Sequence, residues 1–109
     1  MHKLMLIFHP PDDPERFEHR WSEEFVGQAE RMPGVRRVAV SRVEGGLGGR
    51  TQIRLVHEFY FDDLPSLERA LKSQEGQTAG RTLMAFAGEH VTVLFAEHME
   101  ESRGPQARM

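Results

Sequence analysis

"VRRVAVSRVEGGLGGRTQIRLVHEFYF", residues 35–61, is the stretch whose reading decides the fold. Residues 35–43 are β-branched and alternating, residues 51–61 likewise, and "EGGLGGR" lies between them. Phosphate-binding glycine loops run from a strand into a helix whose N-terminus holds the anion. This loop runs into a second strand, so the stretch reads as a β-hairpin. The alternation in the second strand divides Ile53, Leu55, His57, Phe59 and Phe61 from Gln52, Arg54, Val56, Glu58 and Tyr60. The first set is apolar but for His57 and is expected to meet helices.

Upstream, Lys3 to His9 is an apolar run closed by Pro10 and Pro11, which fits a strand buried on both faces. Asp13 then reads as an N-cap, with Pro14 at the first helical position and Glu15 in the positive end of the dipole. Phe17, Trp21, Phe25, Ala29 and Met32 recur every three or four residues as one apolar stripe, and Pro33-Gly34 ends that helix. Downstream, Asp62-Asp63 starts a second helix that tolerates Pro65 in its first turn and carries Leu64, Leu67 and Leu71 on one face. The glycines of "EGQTAGRTLMAFAGE", residues 75–89, make it a weakly helical connector. "HVTVLFAEH", residues 90–98, is a fourth strand. Residues 1–99 are expected to form a single domain, and 100–109, without apolar periodicity, a flexible C-terminal tail.

The order β-α-β-β-α-β is the ferredoxin-like arrangement: an α+β protomer with a four-stranded antiparallel sheet and helices on one face. The face without helices carries Met5, Ile7, Leu94 and Ala96, too apolar a set for water. A homodimer formed sheet to sheet covers such a face, and Tyr60, opposite in parity to His57, falls on it.

Composition narrows the function. A chain of 109 residues with 39% hydrophobic and 28% charged residues builds one modest core. A net charge of -3 and the lack of an aromatic-interleaved basic stripe argue against nucleic acid as a partner. The chain has no cysteine, which excludes a disulfide framework, a thiolate metal site and a cysteine nucleophile. The apolar run Leu4 to Phe8 is too short for a membrane span or a signal-peptide core, so a soluble cytoplasmic protein is expected, with no membrane partner. Six histidines invite a metal reading, but there is no HExxH, and Glu15, His19 and Glu23 belong to the solvated face of their helix. No metal is expected, no histidine stands where a haem would need an axial ligand, and no cofactor is expected. A serine, histidine and acid set around a nucleophile elbow is missing as well.

Three residues carry the remaining chemistry. His57 lies in an apolar stripe, where burial keeps an imidazole neutral; it can act as a base, hydrogen-bond a ligand, or sit in the core bonded to a backbone carbonyl or a hydroxyl. His9, between the first strand and the first helix, is either an exposed turn residue or a group at a cavity mouth. Trp21 packs the core, and the same ring becomes a cavity wall with its indole N–H as a polar handle if a cavity lies there. Arg36 and Arg37 suit a ligand carboxylate or plain surface.

The tryptophan-bearing helix running into "MPGVRR", then "HEFYFDDLPSLERAL", then "SQEGQTAGRTLMAFAGEHVTVLFAEH", resembles the EthD family within the dimeric α+β barrel superfamily. The likeness runs from Lys3 to His98 and is most specific at Trp21, Pro33-Gly34, Phe61-Asp62, Glu75-Gly76 and Phe86. It implies a ferredoxin-like homodimer with a cavity between helices and sheet, used by related proteins for small hydrophobic or aromatic metabolites. Phe17, Trp21, Phe25, Phe59 and Phe86 are the pocket residues expected here. Superfamily relatives include cofactor-independent monooxygenases, lactone isomerases and haem-binding enzymes. The resemblance therefore implies either a cofactor-independent oxygenase or isomerase, with His57 or His9 as catalytic residue managing a proton, or a non-catalytic accessory or ligand-binding homodimer. Phe25 stands where many members carry a histidine, and Arg81 or Thr82 where an aspartate is often found; both departures weaken the transfer of catalytic residues.

Overall fold

A computed structural model describes residues 1–49 and 52–103. Strand β1 (His2–Phe8) is followed by helix α1 (Pro14–Arg20), a π-helical turn (Trp21–Phe25) and α2 (Val26–Ala29), then by β2 (Arg37–Arg42) and β3 (Leu55–Phe61). Helices α3 (Leu64–Lys72) and α4 (Gln74–Ala87) and strand β4 (Val91–Glu97) complete the order. The strands form one sheet in the order β2-β3-β1-β4, every pair antiparallel. The expected ferredoxin-like topology is therefore present. Arg50 and Thr51, in the expected hairpin, lie outside the described residues.

Local chemistry sets the helix starts. The Asp13 side chain accepts from the Arg16 N–H at 3.1 Å, and that of Asp63 from the Ser66 N–H at 2.8 Å. Hydrogen bonds from the Ser66 side chain and backbone N–H hold the Asp63 carboxyl below its usual pKa. The first helical rod is not uniformly α. Phe17, Trp21, Phe25 and Ala29 are spaced by four each time, and in an α-helix each such step turns the stripe by about 40°. A wide turn, in which the Val26 N–H reaches back to the Trp21 carbonyl, takes up the drift and leaves all four buried.

Residues 75–89, expected as a connector, hold most of a full helix of 14 residues, α4. Ser73 ends α3 and starts α4 at once: its Oγ donates to the Ala70 carbonyl at 2.6 Å and accepts from the Gly76 N–H at 3.0 Å. Gly76, Ala79, Leu83 and Ala87 form the buried stripe. The glycines lower helix propensity, and tertiary packing overrides that loss.

Helices cover one face of the sheet. Leu4, Leu6 and Phe8 of β1 and Leu55, His57, Phe59 and Phe61 of β3 are buried against them, in the expected parity. On the other face Met5, Ile7 and Val56 are half-buried and Leu94 is exposed. Tyr60 also lies there yet is buried, because the Arg37 guanidinium stacks 4.1 Å from its ring centre and His98 meets it edge-on at 4.7 Å. Lys3 and Glu58 pair beside it at 2.6 Å. The chain past β4 is tied to this group at Glu100, which accepts from Arg37 at 3.0 Å and from His98 at 2.8 Å. Residues 104–109 of the expected tail lie outside the described residues. Among the described residues no helix is long and apolar enough to cross a membrane.

Candidate functional site

His57 is fully buried at the middle of β3, with Leu6 of β1 and Val40 of β2 as its cross-strand neighbours. Its partner is neither a carbonyl nor a hydroxyl. The Trp21 indole N–H donates to His57 Nδ1 at 3.2 Å, from a residue 36 positions away. Burial pushes the imidazole pKa down to about 4, so the ring is neutral at pH 7. Phe59 lies with its ring centre 4.3 Å from that of His57, and Phe25 stands edge-on at 6.0 Å. The outer side of Trp21 is covered by Arg42, whose guanidinium lies 5.6 Å from the ring centre and pairs with Glu18.

Next to this pair an apolar cleft of about 180 Å³ lies between helices and sheet. Leu4 and Leu6 of β1, Phe59 of β3 and Phe25 form its inner wall, Met32 and Leu71 its end, and Gly76, Ala79, Gly80, Leu83 and Met84 of α4 its roof. Val93 of β4 stands at its edge. Strand β4 is the sheet's edge, and there Val93 of β4 is exposed 41% and Met84 of α4 54%, which marks an opening to solvent.

The expected pocket residues separate into three places. Phe25 and Phe59 line the cleft. Phe17 and Phe86 floor a different hollow of about 260 Å³, rimmed by Asp12, Asp13, Arg16, Arg20 and His90. Trp21 lines neither; its N–H is spent on His57. The polar hollow is the weaker candidate, since Asp13 already caps α1 and Arg20 is already paired with Glu24 at 3.0 Å.

His9 lies away from the cleft. Its Nδ1–H donates to the Gln52 carbonyl at 2.7 Å, which leaves Nε2 to accept from the Thr92 hydroxyl at 2.9 Å. Both nitrogens are thereby used to clamp the end of β1 between a loop and β4. Arg36 is forked onto Asp62, with its closest contact at 2.9 Å, and Arg37 is held by Tyr60 and Glu100. Glu15, His19 and Glu23 are exposed, and among the described residues no three histidine or carboxylate side chains converge as a metal site. Sequence reasoning missed the π turn and the Trp21–His57 bond; the unbroken spacing of four from Phe17 to Ala29 was the available signal for the first.

No family model matches the chain. A curated protein, an uncharacterised 11.0 kDa protein from the thcB-thcC intergenic region of Rhodococcus erythropolis, is 27% identical over 97 residues, spanning 89% of this chain and 94% of that protein. Among solved structures, an ethyl tert-butyl ether D (EthD) family protein from Bacillus halodurans is 31% identical, with a TM-score of 0.87 over 91% of this chain and 99% of its own. Two others share the fold. A dimeric protein of unknown function with a ferredoxin-like fold from Bacteroides fragilis has a TM-score of 0.61 at 17% identity, covering 89% of this chain and 95% of that one. SnoaB, a cofactor-independent oxygenase from Streptomyces nogalater, has a TM-score of 0.61 at 17% identity, covering 95% and 96%.

Proposed function

The chain belongs to the EthD family, and from that premise we propose that it is a cytoplasmic homodimer that binds one small hydrophobic or aromatic molecule in the cleft of each protomer. The observation that carries the reading is the cleft itself: about 180 Å³, open at the β4 edge, with no charged side chain in its lining among the described residues. An apolar cavity of roughly 150 Å³ takes up benzene, so a substituted single ring is the size class that fits. Transfer of such a molecule out of water supplies the affinity.

The homodimer follows from the sheet face opposite the helices. Met5, Ile7, Val56 and Leu94 share it, and a second copy of the same face covers them on a two-fold axis. The relative from Bacteroides fragilis, alike in fold, is described as dimeric. Chemistry on the bound molecule, of the oxygenase or isomerase kind, is a second reading, favoured by one observation: a neutral imidazole stands directly behind the cleft wall.

The test uses Gly80→Leu. A Cβ at Gly80 meets nothing within 4 Å and Gly80 lines the cleft, so a longer side chain starts there without a backbone clash and is expected to narrow the cleft. Its affinity for α-methylstyrene, followed through the Ala79 and Leu83 methyl resonances, is expected to fall at least tenfold, while Tm holds or rises because leucine is the better helix former by up to about 1 kcal/mol. Equal binding in both proteins overturns the cleft as the site. A monomer mass in native mass spectrometry overturns the dimer.

A further inference from the structure

The hydrogen bonding at His57 leaves one buried donor unmatched among the described residues. An indole N–H can donate and cannot accept, so Nδ1, facing Trp21 Nε1 at 3.2 Å, presents its lone pair. A neutral imidazole carries one ring proton, which must then sit on Nε2. Nε2–H is buried and has no acceptor among the described residues. Buried N–H groups are seldom left unpaired, and an unmatched one calls for an explanation.

That explanation lies next door. Phe25 and Phe59 pack against the His57 ring, Leu6 is its cross-strand neighbour, and all three line the cleft, so the imidazole sits one side chain behind it. We propose that the ligand is a neutral carbonyl compound, such as an aryl ketone, ester, lactone or quinone, whose oxygen accepts from His57 Nε2–H, with Trp21 as the positioning residue that fixes the tautomer. Phe25, edge-on to His57 and in the cleft lining, separates the two, so the oxygen reaches Nε2 only when that ring rotates. A carboxylate is disfavoured because the cleft lining, among the described residues, has no cation to offset its desolvation. An alcohol or phenol would bring an O–H for which the lining side chains offer only the weak thioether acceptors of Met32 and Met84. In this arrangement His57 polarises a carbonyl as a donor; it is not a base, since its basic lone pair is held by Trp21.

The inference rests on the cleft being the ligand site, and two probes separate its failure from the failure of that reading. Acetophenone and α-methylstyrene have the same shape, with a carbonyl oxygen in one and a methylene in the other. In protein labelled with ¹⁵N-histidine, long-range ¹H–¹⁵N spectra are expected to show His57 protonated at Nε2, and acetophenone to move the Nε2 resonance while α-methylstyrene does not. The preference for acetophenone over α-methylstyrene is expected to fall about tenfold in Trp21→Phe/His57→Phe, which removes both halves of the pair. Trp21→Phe alone is expected to let the Nδ1-protonated tautomer appear, which loss of packing by itself would not cause. A wild-type ring protonated at Nδ1, or an Nε2 resonance that ignores bound acetophenone, overturns the inference and leaves the cleft reading standing. Binding of neither probe overturns both.

Discussion

Gly76→Ala is expected to lower the stability of the protein by about 3 kcal/mol or more, a fall in Tm of roughly 15 °C. A Cβ built at Gly76 lies 2.0 Å from the Ala70 carbonyl oxygen and 2.9 Å from the Leu71 Cα. Both are backbone atoms, so no side chain can rotate out of the way. The Ala70 carbonyl is also the acceptor for the Ser73 hydroxyl at 2.6 Å, and the same hydroxyl oxygen caps α4 through Gly76. Making room for one methyl therefore pushes α4 off α3 and breaks the cap where they meet. Gly80→Ala, one turn further along α4, supplies the control. Helix propensity favours alanine at both positions by up to about 1 kcal/mol, and at Gly80 nothing opposes it. Urea midpoints for the two variants should move in opposite directions. A neutral Gly76→Ala would mean that the α3–α4 junction is looser than the structure shows.

The same residues show what could be read from the sequence. Strand parity in β3 was legible because burial on one sheet face writes an alternation, and Leu55, His57, Phe59 and Phe61 kept it. The stripe from Phe17 to Ala29 was legible as a helix for the same reason, though its spacing belongs to a rod with a wide turn in it. Helix α4 was hidden by glycines whose reason is tertiary: Gly76 is there for the backbone of α3, which no local pattern records. Its start at Ser73 and the spacing Ala79, Leu83, Ala87 were the signals to weigh against those glycines. At the site, periodicity placed His57 on the helix-facing side and could say nothing of its partner. Trp21 and His57 are joined by the superposition of a helical rod on a sheet, 36 residues apart in the chain. His9 likewise finds Gln52 and Thr92 through the fold, 43 and 83 residues away.

The buried imidazole makes stability depend on acid. Unfolded, His57 titrates near 6.5; folded, burial holds it at about 4. Above 6.5 the ring is neutral in both states and its contribution is fully present. As pH falls below 6.5 the unfolded chain takes up a proton that the folded chain refuses, so stability declines until the pH passes through the folded value. The whole loss is on the order of 3 kcal/mol, and about 2 kcal/mol of it falls between pH 7 and pH 5. Other histidines and the carboxylates titrate as well, so the comparison is with His57→Gln, which keeps an acceptor for the Trp21 indole and cannot take up the proton. Urea unfolding of both proteins at pH 7 and pH 5 is expected to show wild type losing about 2 kcal/mol more than the variant. Parallel losses would show that the imidazole is solvated in the native state, and the tautomer argument for a carbonyl ligand would go with it. The two measurements are linked by one proton. A ring that stays neutral to about pH 4 keeps Nε2–H as a donor across the physiological range, so acetophenone binding should hold level from pH 8 to pH 5 while global stability falls.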